Sequence, residues 1–184
     1  MKQRLKIVSQ IIQKLKSAKT VAVGGHMRPD GDCIGSELAV AYVLKHLGKK
    51  VTVFNQDMIP EKLAFLDPKK ILRGPAKAKH YDCVVVADCA TYERIGTVCK
   101  AISKRKTLIN IDHHGSNSRY GDINWIDSNS ASSGELIFRL IKQANWTITP
   151  DIADCLFTAI STDTGSFQYA TTRPSTYHTA AELI

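Results

Sequence analysis

The strongest constraint on this chain is a set of short apolar runs, three of them closed by acidic residues, histidines or glycines. Asp82-Cys-Val-Val-Val-Ala-Asp88 is apolar throughout its middle. A strand with one wet face alternates apolar and polar residues, whereas a strand covered on both faces reads as an unbroken apolar run. Thr20-Val-Ala-Val-Gly-Gly25, Val51-Thr-Val-Phe54 and Thr107-Leu-Ile-Asn-Ile-Asp112 read the same way. Helical segments separate them. The pattern predicts a Rossmann-like three-layer α/β domain with a mainly parallel sheet of about five strands.

The helices carry their own signals. Leu5, Val8, Ile11, Ile12 and Leu15 recur at helical spacing, with Lys2, Arg4, Lys6, Lys14 and Lys16 largely on other faces, a solvated basic side. A second helix is expected from about Cys33 to Leu47, closed by Gly48. Ser132-Ser-Gly-Glu135 has the form of a capping box opening a helix to about Ala144. Thr149-Pro150 starts another, running to about Ser161. A last helix starts near Ser175 and is still running at Ile184, as a piece of a longer protein would.

The 184 residues suffice for one domain with a real core. No run approaches the roughly 20 apolar residues of a membrane span, and the basic start lacks the apolar block of a signal peptide. Five cysteines, Cys33, Cys83, Cys89, Cys99 and Cys155, show no C-x-x-C spacing, so reduced thiols in the cytoplasm are expected. The formal charge of +8 favours anionic partners.

The chemistry-bearing residues gather at the strand ends, where parallel α/β sheets bind ligands. The first strand is followed by His26, Asp30 and Asp32. The third ends in Asp88 and the fourth in Asp112-His113-His114, while Ser161-Thr-Asp-Thr-Gly165 offers Asp163 from a helix end. Carboxylates crowded together raise one another's pKa unless a cation compensates. A structural zinc site needs only four ligands, often with cysteine. Six of these, His26, Asp30, Asp32, Asp88, His113 and Asp163, none of them cysteine, fit two divalent cations sharing a bridging carboxylate, with Mn2+ favoured and Mg2+ or Co2+ as alternatives.

Four motifs carry a resemblance: His26-Met-Arg-Pro-Asp-Gly-Asp-Cys-Ile-Gly-Ser36, Val86-Ala-Asp88, Ile111-Asp-His-His-Gly115 and Ser161-Thr-Asp-Thr-Gly165. In this order they resemble the DHH phosphoesterase superfamily, and most of all its bacterial oligoribonucleases that also dephosphorylate 3′-phosphoadenosine 5′-phosphate. The resemblance implies that His26 and Asp30 hold one ion, Asp32, His113 and Asp163 the other, and that Asp88 bridges. It implies catalytic roles for Asp88, for His114 at the substrate phosphate and for Asp112 as its orienting partner. Ser36 and Ser132 are implied near substrate, with Asn129, Ser130 and Ser133 in the same polar stretch. The implied activity is hydrolysis of short single-stranded RNA to mononucleotides, with no membrane partner and a homodimer as one open assembly.

The chain departs from the family at Cys33, often alanine there, read as a buried filler. Residues 1–184 are expected to be the metal-binding catalytic domain, with the family's substrate-gripping second domain absent. Inorganic pyrophosphatase, cyclic-dinucleotide phosphodiesterase and single-strand DNA exonuclease activities share such a domain. A metal- or nucleotide-binding module with little turnover is the reading from another class.

Overall fold

The computed structural model describes residues 2–74 and 77–184, with side chains from Leu5 onward, so the reading of Lys2 and Arg4 as part of a basic face lies outside the described side chains. Six strands make one sheet: β1 (Thr20–Gly24), β2 (Lys50–Phe54), β3 (Leu72–Arg73), β4 (Cys83–Ala87), β5 (Leu108–Asp112) and β6 (Ile123–Ile126). Their order is β3-β2-β1-β4-β5-β6, and every pairing is parallel. The order reverses at β1, so a crevice opens beyond the carboxyl ends of β1 and β4, where doubly wound sheets take their ligands.

The unbroken apolar runs are explained by two cores. Along β4, Cys83, Val85 and Ala87 face one core, while Val84 and Val86 face the other, the period-two alternation of a strand. The larger core lies under α1 (Lys2–Ser17), α2 (Gly31–His46), α4 (Ser133–Ala144) and α5 (Pro150–Asp163). The smaller one packs Ile95, Val98, Ala101 and Ile102, around the short α3 (Val98–Ala101), on the opposite face. α6 (Pro174–Leu183) packs beside α5 and α4.

α2 is buried from Gly31 to Leu44. It has no polar face because it lies between the sheet and α5. A Cβ on Gly35 would fall 2.3 Å from the Cys155 carbonyl oxygen, so a residue without one is needed where the two helices meet. The helix starts two residues before Cys33, because the Asp30 side chain accepts the Cys33 N–H at 3.0 Å and caps it. Gly48 follows with φ +73, the left-handed residue that closes a helix. α5 runs two residues past Ser161, to Asp163.

The four strands named from sequence are present and parallel. β3 has two residues, and β6 is an edge strand that buries only Ile123 and Trp125. Neither carries a long apolar run. All five cysteines are free. Among the described residues no helix is long and apolar enough to cross a membrane.

Candidate metal centre

β1 and β4 are neighbours, and the residues after them meet across the crevice. The His26 Nδ1 lies 2.9 Å from the Met27 carbonyl, an acceptor that keeps the proton there and leaves Nε2 as the donor atom. Nε2 is 3.4 Å from Asp88 Oδ2 and 3.8 Å from Asp30 Oδ1. Asp88 is the first residue past β4, and its N–H donates to the Ile111 carbonyl at 3.0 Å. It turns left-handed, φ +51, a conformation that for a non-glycine residue often marks a functional position. Its other oxygen, Oδ1, accepts the Ser133 hydroxyl at 3.0 Å and lies 3.6 Å from His113 Nε2.

His113 follows β5 and gathers a second group. Its Nε2 is 3.7 Å from Asp32 Oδ2 and 3.2 Å from Asp163 Oδ2. Asp163 is the last residue of α5, and Asp32 sits in the first turn of α2. The start of α4 holds Asp32. The Ser133 and Gly134 N–H groups donate to its two oxygens at 2.6 and 2.9 Å, and the Ser36 hydroxyl adds a third bond at 3.1 Å. A helix N-terminus suits a carboxylate both by its unspent N–H groups and by its dipole.

A third unit stands at the rim. His114 Nδ1 is 2.7 Å from Asp112 Oδ1. Asn117 donates to the other Asp112 oxygen at 2.6 Å, so the carboxylate is fixed from both sides. Burial works to raise the Asp112 pKa, but the bonds from His114 and Asn117 outweigh it and hold it low. The same bond raises the His114 pKa. The His114 side chain is 37% exposed, and Nε2 is its unspent nitrogen.

Charge is what this centre lacks. Asp32 and Asp88 are both buried. Burial, with Asp88 and Asp163 close by, pushes Asp32 well above the usual carboxylate range. Burial also lifts Asp163 to about 6 against the pull of His113. On His26 burial works downward, yet Asp30 and Asp88 raise it to about 10. Three sets of donor atoms lie within 4.8 Å of one another: His26, Cys33 and Asp88; Asp88, His113 and His114; Asp32, His113 and Asp163. Oxygen and imidazole donors dominate, a set that fits Mn2+-like divalent ions.

The six ligand candidates thus converge, Asp30 being the exposed one, its side chain 59% open. His114 and Asp112 pair beside them. Ser36 and Ser132 are fully buried: Ser36 bonds Asp32, and Ser132 caps α4 by accepting the Glu135 N–H at 3.1 Å. Asn129 is exposed on the loop before α4. Cys33 is a buried thiol within donor distance of His26 and Asp88. Sequence reasoning missed Asn55, Asn117 and Arg94. Asn55 follows β2 and donates to the His26 carbonyl at 3.1 Å, so the strand-end argument, extended one residue past Phe54, finds it. Asn117 lies in a loop and Arg94 in a single 3-10 turn, and neither segment has a periodic pattern.

Comparison with known proteins agrees with this geometry. The "DHH family, N-terminal domain" model matches residues 20–160. The bifunctional oligoribonuclease and PAP phosphatase NrnA of Thermus thermophilus is 31% identical over 183 residues, covering 99% of this chain and 54% of that protein. A probable manganese-dependent inorganic pyrophosphatase of Streptococcus thermophilus is 24% identical over 89% of this chain and 54% of its own length. The crystal structure of an exopolyphosphatase-related protein from Bacteroides fragilis superposes with a TM-score of 0.85 at 25% identity, over 97% of this chain and 56% of that one. The chain spans about half the length of the curated relatives it matches. With its strand-end carboxylates and histidines on a doubly wound sheet, the chain belongs to the DHH family.

Proposed function

We propose that this chain is a phosphoester-hydrolysing domain that works with two divalent cations, Mn2+ foremost, on short oligoribonucleotides and on 3′-phosphoadenosine 5′-phosphate. One observation carries the two-ion reading: Asp88 turns one oxygen to His26 and the other to His113. A carboxylate so placed is a bridge between two ligand groups. His26, Asp30 and Asp88 would hold one cation, and Asp32, Asp88, His113 and Asp163 the other. When bound, such cations supply Lewis acidity and lower the pKa of coordinated water.

The chain's own residues do the rest. The α4 N-terminus keeps Asp32 in place, the Met27 carbonyl orients the His26 ring and Asn55 holds the His26 backbone carbonyl. Asp112 accepts Nδ1–H and favours the His114 imidazolium, which then keeps an Nε2–H toward substrate as hydrogen-bond donor and general acid. A water oxygen forms the new bond to phosphorus, the ester P–O bond breaks, His114 gives its Nε2 proton to the leaving oxygen, and the proton shed by the water restores the imidazolium.

The substrate class is supported by the name of the Thermus thermophilus relative. The likeness to a probable manganese-dependent pyrophosphatase favours a second reading, inorganic pyrophosphate. A panel of a 5′-phosphorylated diribonucleotide, 3′-phosphoadenosine 5′-phosphate and pyrophosphate, each with Mn2+, separates them. Mn2+-dependent release of mononucleotide and AMP supports the first reading. Turnover of pyrophosphate alone replaces it with the second.

A further inference from the structure

We infer that Arg94 is a substrate-binding residue: its guanidinium seats a phosphate oxyanion on the His26 side of the centre, opposite His114. The inference rests on the phosphoester reading above. Arg94 belongs to the 3-10 turn Tyr92–Ile95, which follows Asp88. Its carbonyl accepts the Met27 N–H at 2.7 Å, tying that turn to the His26 loop. One guanidinium nitrogen, Nη2, lies 3.2 Å from His26 Nδ1.

That approach spends nothing. A His26 that offers Nε2 to the centre carries its proton on Nδ1, and Nδ1–H already has the Met27 carbonyl at 2.9 Å. Nδ1 then has no lone pair for Arg94. Among the described residues no carboxylate pairs with the guanidinium, and its side chain makes no other hydrogen bond. The guanidinium is partly buried, and apart from the His26 approach its N–H donors meet no acceptor on the described residues. Water can satisfy them there, and an anionic ligand can take the place of that water.

Position names the acceptor. Arg94 stands beside His26, which faces Asp88 Oδ2, while His114 Nδ1 is 3.7 Å from Asp88 Oδ1. The His26 and His114 rings flank the bridging carboxylate at its two oxygens, and Arg94 stands behind His26 on its Nδ1 side. The carboxylates already present are committed to the ligand groups. What arrives there with spare oxygens and negative charge is phosphate, and the planar fork of arginine matches two of its oxygens at once.

The test uses Arg94→Gln and Arg94→Lys with Mn2+ and inorganic phosphate as the probe. Calorimetry should show Mn2+ binding within about twofold of wild type in both. The phosphate dissociation constant of the Mn2+-loaded protein should rise about tenfold or more in R94Q and less in R94K, the loss of one charge-assisted bidentate contact. On a phosphoester substrate KM should rise by a similar factor with kcat changed little. In Arg94→Ala, added guanidinium ion should recover part of the loss. Unchanged phosphate binding in R94Q overturns the inference. So does a loss that follows weakened Mn2+ binding, since Arg94 would then only support His26. Failure of the wild type on every phosphoester sinks the hydrolase reading instead, and the phosphate titration still decides Arg94.

Discussion

β4 carries an aspartate beyond each end, and the two could hardly be treated more differently. Asp82, at the amino end, accepts the Lys106 ammonium at 2.8 Å and the Lys19 and Thr20 N–H groups at 3.0 and 3.1 Å. Lys106 and these backbone donors hold its pKa well below the usual carboxylate range. Asp88, at the carboxyl end, receives one hydroxyl and faces three imidazoles and further carboxylates. The protein satisfies the first charge itself and leaves the second for something it must bind. An acid at a strand end is thus informative only with its partners, and a deficit of cations distinguishes a ligand from a clamp.

The largest expected effect follows from that contrast. Asp88→Ala or His113→Ala should lower Mn2+-dependent hydrolysis by at least about 10²–10³-fold, since the shared ligand group is broken. Asp82→Ala should leave kcat/KM within about twofold and instead lower Tm by roughly 2–4 °C. Steady-state kinetics and thermal melts on the same preparations check both. Activity retained in both D88A and H113A would remove the two-ion model.

A second, smaller effect tests the acid that is satisfied yet functional. Asp112 has its hydrogen bonds, but it spends one on His114. Asp112→Asn keeps the shape and removes the charge that raises the His114 pKa. The protonated His114 should then be lost at lower pH. The alkaline limb of the kcat profile is expected to move downward, and kcat near pH 8 to fall about 10–100-fold, as for other ligand-supporting partners. An unmoved limb with a reduced plateau would mean that Asp112 only positions the ring.

Much of this was legible in the sequence because the physics behind it is local. Unbroken apolar runs report burial on both faces, so β1, β2, β4 and β5 stood out. β3 and β6 did not, since a two-residue strand has no period and an edge strand is half wet. The ligand candidates were legible because a parallel sheet brings its carboxyl ends together whatever the loops do. The supports were not. Ser133 N–H to Asp32 spans 101 positions and Asn55 to the His26 carbonyl 29, and only tertiary packing joins them. Glu135, expected to close a capping box on Ser132, instead accepts the Ala131 N–H at 3.0 Å, because Thr176 of α6 holds the same oxygen at 3.3 Å.

A third kind of acid completes the comparison and gives the smallest expected effect. Glu37 lies fully buried in α2 with neither a cation nor a ligand role. Oε1 accepts the Asn55 side-chain N–H at 2.9 Å, and Oε2 has no partner among the described residues. Burial raises its pKa to about 8 against the pull of Asn55. The folded protein therefore keeps a proton that the unfolded chain releases near pH 4.5. Between those values the native state binds more protons, so stability falls as pH rises through the window. Glu37→Gln keeps Oε1 for Asn55 and cannot ionise. Its Tm relative to wild type should climb between pH 5 and 8 and level off above, with little change in Mn2+ binding. A difference independent of pH would show that Glu37 is ionised in the fold.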